Sequence, residues 1–352
     1  MRKDNPFSLM YGKPPYSIIE RREQVENIID TFNSNMPSTY AYMISGVRGS
    51  GKTVLLRNVV NKLKESDDWI IIDANPQGEI ISSIAEKLYY EGKKHKLFLD
   101  VDLKVNLKFI ELTISKKNVL NNPELIFEDL LKKANQNKKR VLISIDEVNN
   151  TKEIRLFANF YQSLIGNDYD VFLLMTGLPH NVNSLISADA ASFLSRTPKI
   201  MLEPLNLVDI SFEYKRLLNV TEETSIKMAK LSNGYAFAYQ VLGYLFYEYE
   251  KKDIDEEIIL KFDSYLRNNG YDVIWRELTN KEKKICEVMS QMDEIETSSI
   301  LENAKMTLSN YQNYRTSLIE KGIIISNGYG KVQFVLPRFK EFVLNIVKFN
   351  EF

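Results

Sequence analysis

The sequence predicts an α/β fold, a parallel sheet with covering helices, followed by an all-α region and a small helix-and-hairpin module. Three observations predict it. Up to about residue 204, short continuous apolar runs alternate with stretches of helical periodicity, the pattern of strands buried on both faces. A glycine-rich turn, Gly46-Val47-Arg48-Gly49-Ser50-Gly51-Lys52-Thr53, stands between one such run and a helix. From Leu205 to about Thr279 there is no convincing strand and helical stretches take over.

Composition narrows the setting more than the function. The chain has 352 residues, enough for two or three domains and a substantial core. Its 46 Lys and Arg against 47 Asp and Glu leave a net charge of −1, so no bulk basic character argues for nucleic acid. A single cysteine, Cys286, excludes an intramolecular disulfide, and two histidines, His95 and His180, leave little material for a zinc site. No apolar run approaches the ~18 residues of a membrane span, and the N-terminus lacks the apolar core of a signal peptide. Cytoplasmic residence with no membrane contact is the expectation.

Taken in order, the proline- and aromatic-rich opening from Asn5 to Tyr16 should be extended and held to the body by ring packing, close to the ligand of the glycine-rich turn. Val25, Ile28, Ile29 and Phe32 recur at helical spacing; Arg21 and Arg22 at the start of that helix either approach the ligand or are solvated. Tyr40 to Ile44 is the strand that feeds the turn. In a G-x-x-x-x-G-K-[ST] turn the glycines let backbone N–H groups close around a polyphosphate, and the following helix adds the positive end of its dipole. Gly46, Arg48, Gly49, Ser50, Gly51, Lys52, Thr53 and Val54 are therefore the candidate nucleotide-binding residues. Lys52 would reach the β- and γ-phosphates, and the Thr53 hydroxyl would ligate Mg²⁺.

Trp69 to Asp73 is a second buried strand and Gly78 to Lys93 a helix. From Val101 apolar and polar residues alternate strictly, and after Ile110 they alternate in the opposite phase. This pattern predicts an inserted β-ribbon at about 97–115, an oligomer contact or an edge extension. Helix 122–139 precedes the strand Val141 to Ile145, which delivers Asp146-Glu147 at its carboxyl end, where ligands bind in open α/β sheets. Asp146 would hold Mg²⁺ and Glu147 would polarise an attacking water. After helix Ile154 to Ile165, the strand Val171 to Met175 ends at Thr176, which either orients the lytic water or senses the γ-phosphate, or caps the next helix. Helix Asn183 to Leu194 leads to Arg196, either an arginine acting on phosphoryl charge across a subunit boundary or a surface residue. Lys199 to Leu202 is the last core strand.

Helical stretches then run over 207–218, 221–231, 235–251 and 254–265, with an aromatic stripe from Tyr235 to Tyr247 that reads as core. The segment from 279 opens with Thr279 and Glu282 at capping-box spacing. It continues as three helices and two strands joined through Asn327-Gly328-Tyr329-Gly330, a hairpin signal. Three helices and a two-stranded wing form the winged-helix pattern. Its presumed recognition helix offers Asn310 to Arg315, with Lys305, Lys321 and Lys331 nearby. That is thin charge for DNA, which several Lys/Arg phosphate contacts usually hold, so DNA and a partner protein both stay open as targets. The expected domains are a core at 1–204, a helical lid at 205–278 and a winged helix at 279–352.

Through GVRGSGKT at 46–53, VLISIDEV at 141–148, LLMTGLP at 173–179 and RTPKIMLEPL at 196–205, nearly the whole chain resembles the AAA+ ATPases of the origin-recognition and archaeal-ATPase branch. The resemblance implies a P-loop NTPase core with a five-stranded parallel sheet, the P-loop strand beside the sensor strand, adenine held by the N-terminal segment and lid, and ATP-dependent assembly, as homo-oligomer or with a partner. Glu20-Arg21-Arg22-Glu23 departs from the family's Gly-Arg-Glu opening, and the run Asn233 to Ala238 lacks the arginine many relatives carry early in a lid helix. The expected function is Mg²⁺-dependent ATP hydrolysis driving a conformational or assembly switch on DNA or a protein; the alternative is a nucleotide-gated regulatory switch with little turnover. Phosphoryl transfer to a small acceptor is disfavoured, because the Asp146-Glu147 pair suits water activation.

Overall fold

The structure, a computed structural model, describes residues 4–10, 15–98, 122–187, 192–293 and 295–350. It divides into two compact units, one of Arg21–Ser45 and Lys52–Met201, the other of Met1–Glu20, Gly46–Gly51 and Leu202–Phe352.

The first unit is the α/β core. Its elements run α1 (Arg22–Asn33), β1 (Ala41–Ser45), α2 (Lys52–Lys64), β2 (Trp69–Ala74), α3 (Ile80–Lys94), α4 (Pro123–Gln136), β3 (Arg140–Ile145), α5 (Lys152–Gly166), β4 (Val171–Gly177), α6 (Pro179–Ile186), α7 (Ser192–Arg196) and β5 (Lys199–Met201). The strands pair in the order β2-β3-β4-β1-β5, every pairing parallel. β1, β3 and β4 are buried along nearly their full length because helices cover both faces. That is why they read as unbroken apolar runs. Ser45 pairs with Gly177, Ile44 with Thr176 and Ile145 with Met175, so the carboxyl ends of β1, β3 and β4 lie in register. The residues that follow β1 and β3 therefore leave the sheet from one edge.

Covering helices are positioned by caps and apolar stripes. Thr151 accepts from the Ile154 amide at the start of α5, which buries Ile154, Phe157, Ala158, Phe160, Tyr161 and Leu164. The helix expected over Asn183 to Leu194 is instead two, α6 and α7. Pro179, pre-set for the first helical position, starts α6 early, and the helix has ended by Ser187. The β-ribbon expected at 97–115 lies outside the described residues from 99 onward; Leu97 and Phe98 form a turn, with Phe98 stacked on Tyr89.

The second unit is mainly helical: α8 (Leu207–Leu218), α9 (Glu222–Ser232), α10 (Ala236–Glu248), α11 (Glu256–Leu266), a π-turn over Arg267–Tyr271, α12 (Asp272–Glu277), α13 (Asn280–Ser290), α14 (Thr297–Ala304), α15 (Leu308–Glu320), the strands β6 (Ile324–Ser326) and β7 (Val332–Phe334), and α16 (Phe339–Asn350). Asn206, Thr221 and Asp255 cap α8, α9 and α11 through their side chains. The N-terminal segment packs here by its rings: Phe7 is 2% exposed, against Tyr214 and Tyr239, and touches Gly243, where a Cβ would overlap the ring. The π-turn and α12 are absent from the sequence reading, since Asn268-Asn269-Gly270 looks like a helix stop.

The last part of this unit opens with the expected capping box. The Thr279 amide donates to Glu282 Oε2 at 2.7 Å, and the Glu282 amide donates to Thr279 Oγ1 at 3.3 Å. Glu282 is 1% exposed, and it also accepts from Lys321 Nζ at 2.8 Å on both oxygens and from Ser317 Oγ at 2.7 Å. Burial by itself would raise its pKa, but these donors outweigh burial and hold it below its ordinary value. A carboxyl depressed in the folded state stabilises the fold above the unfolded pKa and ceases to do so as pH falls through the folded one. Acid should therefore loosen residues 279–350 as pH drops below the ordinary glutamate value, and Lys321→Ala, which strands the carboxylate, should cost about 3 kcal/mol at neutral pH. Thermal melts of both proteins from pH 7 to pH 3 check this, the difference between them closing as Glu282 protonates.

Candidate active site

The glycine-rich loop takes its shape from two left-handed glycines, Gly49 at φ 76° and Gly51 at φ 96°, a conformation that costs other residues strain. Within the second unit the stretch Gly46–Gly51 is fastened from outside. The Tyr235 hydroxyl donates to the Arg48 carbonyl at 2.7 Å and the Phe237 amide to the Gly49 carbonyl at 3.1 Å. Val47 packs on Gly322, where a Cβ would overlap the valine side chain. Gly46 sits against Ser50 and Leu202 as closely as a glycine allows. With the Arg48 and Gly49 carbonyls bonded to the unit's own helices, two of the loop's outward acceptors are satisfied.

In the first unit α2 begins at Lys52, which is 8% exposed, followed by half-buried Thr53 and Val54. Thr53 Oγ1 donates to Asp146 Oδ2 at 2.8 Å. Asp146 Oδ1 accepts from Thr176 Oγ1, and Thr176 Oγ1 in turn accepts from the Glu147 amide at 3.1 Å. The Val148 amide donates to the Thr176 carbonyl at 2.8 Å. Glu147 is left-handed, φ 59°, with an exposed side chain. One turn beyond Thr53 on α2, Arg57 pairs with Asp73 at 2.7 Å, and Asp73 also accepts from Ser144. Burial alone would raise the Asp73 pKa; the Ser144 and Arg57 hydrogen bonds and the Arg57 charge hold it below its ordinary value.

The structure thus joins Thr53, Asp146, Glu147 and Thr176 in one hydrogen-bonded set. Arg196 lies outside it, exposed at the end of α7. A hydroxyl and a carboxylate that already share a hydrogen bond form a set of hard oxygens, which fits Mg²⁺. Two features escaped the sequence reading. Tyr235 and Phe237 were hidden in an aromatic stripe that looks like core, whereas Arg57 could have been found from its i+4 spacing to Thr53.

The five-stranded parallel sheet with its covering helices is a P-loop ATPase-like fold, and it matches the fold of origin-recognition proteins. Residues 19–171 match an ATPase domain described as predominantly from Archaea, and residues 268–343 match a domain of unknown function. Among solved structures, the chain is similar to the ORC2 protein of Aeropyrum pernix in its ADPNP–ADP complexes, with TM-score 0.62, 14% identity and 97% of each chain covered. The same protein in its ADP form gives TM-score 0.52 at 14% identity, again over 97% of each chain. Cdc6p from Pyrobaculum aerophilum gives 0.48 at 14% identity, also over 97% of each chain. No curated protein matches the sequence. No helix among the described residues is long and apolar enough to cross a membrane.

Proposed function

We propose that the chain binds and hydrolyses Mg²⁺-ATP and converts its nucleotide state into a conformational or assembly switch acting on DNA or a partner protein. The observation that carries the reading is the hydrogen bond from Thr53 to Asp146, which joins the first turn after a glycine-rich loop to the acidic end of a buried parallel strand. The shared fold with a protein solved with ADPNP and ADP supports it. In this reading the N–H groups of Gly46–Thr53 cradle the phosphates, Lys52 reaches the β- and γ-phosphates, and Thr53 and Asp146 hold the metal. Bound Mg²⁺ would supply charge neutralisation on the phosphates. Glu147 polarises the attacking water, and Arg196 is the candidate for phosphoryl charge across a subunit boundary.

Residues 205–278 serve as the lid and 279–352 as the winged helix that meets the target. Lys321 is neutralised by Glu282, which removes one of four cations from a DNA interface and favours a partner protein. The seating of Val47 on Gly322 and of Arg48 and Gly49 on Tyr235 and Phe237 supports a second reading, a regulatory switch with little turnover in which the loop's state is passed directly to lid and winged helix.

Titration with ATP and Mg²⁺ tests the proposal. Lys52→Ala should weaken binding by about 3 kcal/mol, roughly a hundredfold, the worth of a charge-assisted phosphate contact. Unchanged affinity would remove the loop from nucleotide binding. Turnover measured with and without DNA separates the two readings, since a switch binds tightly and turns over slowly in both conditions.

A further inference from the structure

We infer that Thr176 is a positioning residue for the acid and the base and does not itself touch the nucleotide; the inference rests on the reading of Asp146 and Glu147 given above. A threonine hydroxyl has one hydrogen to give and two lone pairs. Its hydrogen goes to Asp146 Oδ1, and one lone pair receives the Glu147 amide. Phosphate oxygens are acceptors, so a residue that senses them must donate, and Thr176 has no second hydrogen. Its remaining lone pair faces no solvent, because the residue is 0% exposed, which closes it to a lytic water. Nor does it cap α6: the residue before that helix is Leu178, with no side-chain cap.

What the hydroxyl does is hold two things at once. Asp146 has one oxygen fixed by Thr53 and the other by Thr176, which sets the plane of the carboxylate. Glu147 stands in a left-handed conformation that L side chains rarely adopt, and its amide is anchored on the same hydroxyl while the next amide, of Val148, is anchored on the Thr176 carbonyl. The close approach this needs is built in at Gly177, where a Cβ would stand 3.1 Å from Val148 Cγ2 and 2.9 Å from Val182 Cγ2. Thr176 therefore aims the metal-holding carboxylate and the strained turn that carries the base.

Two variants test this. Thr176→Val keeps shape and removes the hydroxyl; Thr176→Ser keeps the hydroxyl. In the nucleotide-free protein, amide exchange at Glu147 should accelerate about tenfold or more in Thr176→Val and stay at the wild-type rate in Thr176→Ser, with Val148, bonded to a main-chain carbonyl, unchanged in both. With nucleotide, Thr176→Val should raise the Mg²⁺ concentration for half-maximal turnover and lower kcat by about 10- to 100-fold, while metal-free ATP and ADP affinities keep their wild-type ratio. Unchanged exchange at Glu147 in Thr176→Val overturns the inference, as does faster exchange there in Thr176→Ser, which also decides the matter if the valine variant does not fold. A selective loss of ATP over ADP affinity with unchanged Mg²⁺ dependence overturns it too, in favour of a phosphate contact. Should the wild-type protein bind no Mg²⁺-ATP, the ATPase reading falls while the exchange measurement still decides what Thr176 holds.

Discussion

Glu147→Gln abolishes turnover and leaves ATP binding intact: this is the expected result if Glu147 is the base. A positioned carboxylate contributes about 10²- to 10⁴-fold to proton transfer, so kcat should fall by that factor with little change in affinity, since the amide keeps the shape and loses the basicity. The backbone gives the prediction a second, independent edge. At φ 59° Glu147 holds a left-handed conformation that costs a residue with a Cβ about 1 kcal/mol or more. Glu147→Gly should therefore leave the melting temperature at or above wild type, relief of that cost offsetting glycine's extra freedom in the unfolded chain, while turnover still disappears. A glycine variant that hydrolyses ATP would remove Glu147 from the chemistry. One that melts far lower would mean that the side chain is held for structural reasons.

How much of this was legible beforehand follows from what each residue contacts. The strands announced themselves because β1, β3 and β4 are buried on both faces and admit little but apolar residues. The loop was legible as a glycine-rich turn between a strand and a helix because its left-handed positions, Gly49 and Gly51, favour glycine. Asp146 and Thr53 could be associated only through what such a loop needs, not through any pattern of their own. Other features left no trace. A glutamate in a left-handed turn has no sequence signature, because the residues that would mark it are glycine and asparagine. Tyr235 does both: its ring lies in the helical core, as the aromatic stripe suggests, and its hydroxyl reaches the Arg48 carbonyl, which the stripe does not reveal. Thr176 was ambiguous for the same reason: a hydroxyl at a strand end can cap, sense or position, and only its partners decide.

The second large effect is expected at Gly49. Its φ of 76° already penalises any L residue, and an added Cβ would overlap the Tyr235 hydroxyl and stand 2.9 Å from Tyr235 Cζ and 3.1 Å from Phe237 Cβ. Gly49→Ala must therefore push the start of α10 off the loop, or distort the loop's N–H groups away from a phosphate-binding arrangement. Either outcome should lower nucleotide affinity by about tenfold or more, the equivalent of about 1.4 kcal/mol. A double-mutant cycle separates the two. If the clash with Tyr235 dominates, Tyr235→Ala combined with Gly49→Ala should recover affinity relative to Gly49→Ala alone, because the overlapping ring is gone. If the left-handed backbone dominates, the double variant should stay as weak as the single one. Tyr235→Phe, which removes only the bond to the Arg48 carbonyl, then measures what that tether contributes. Recovery in the alanine pair together with weakening in Tyr235→Phe would show that the loop and the start of α10 are held in one arrangement by contacts that nucleotide binding has to respect.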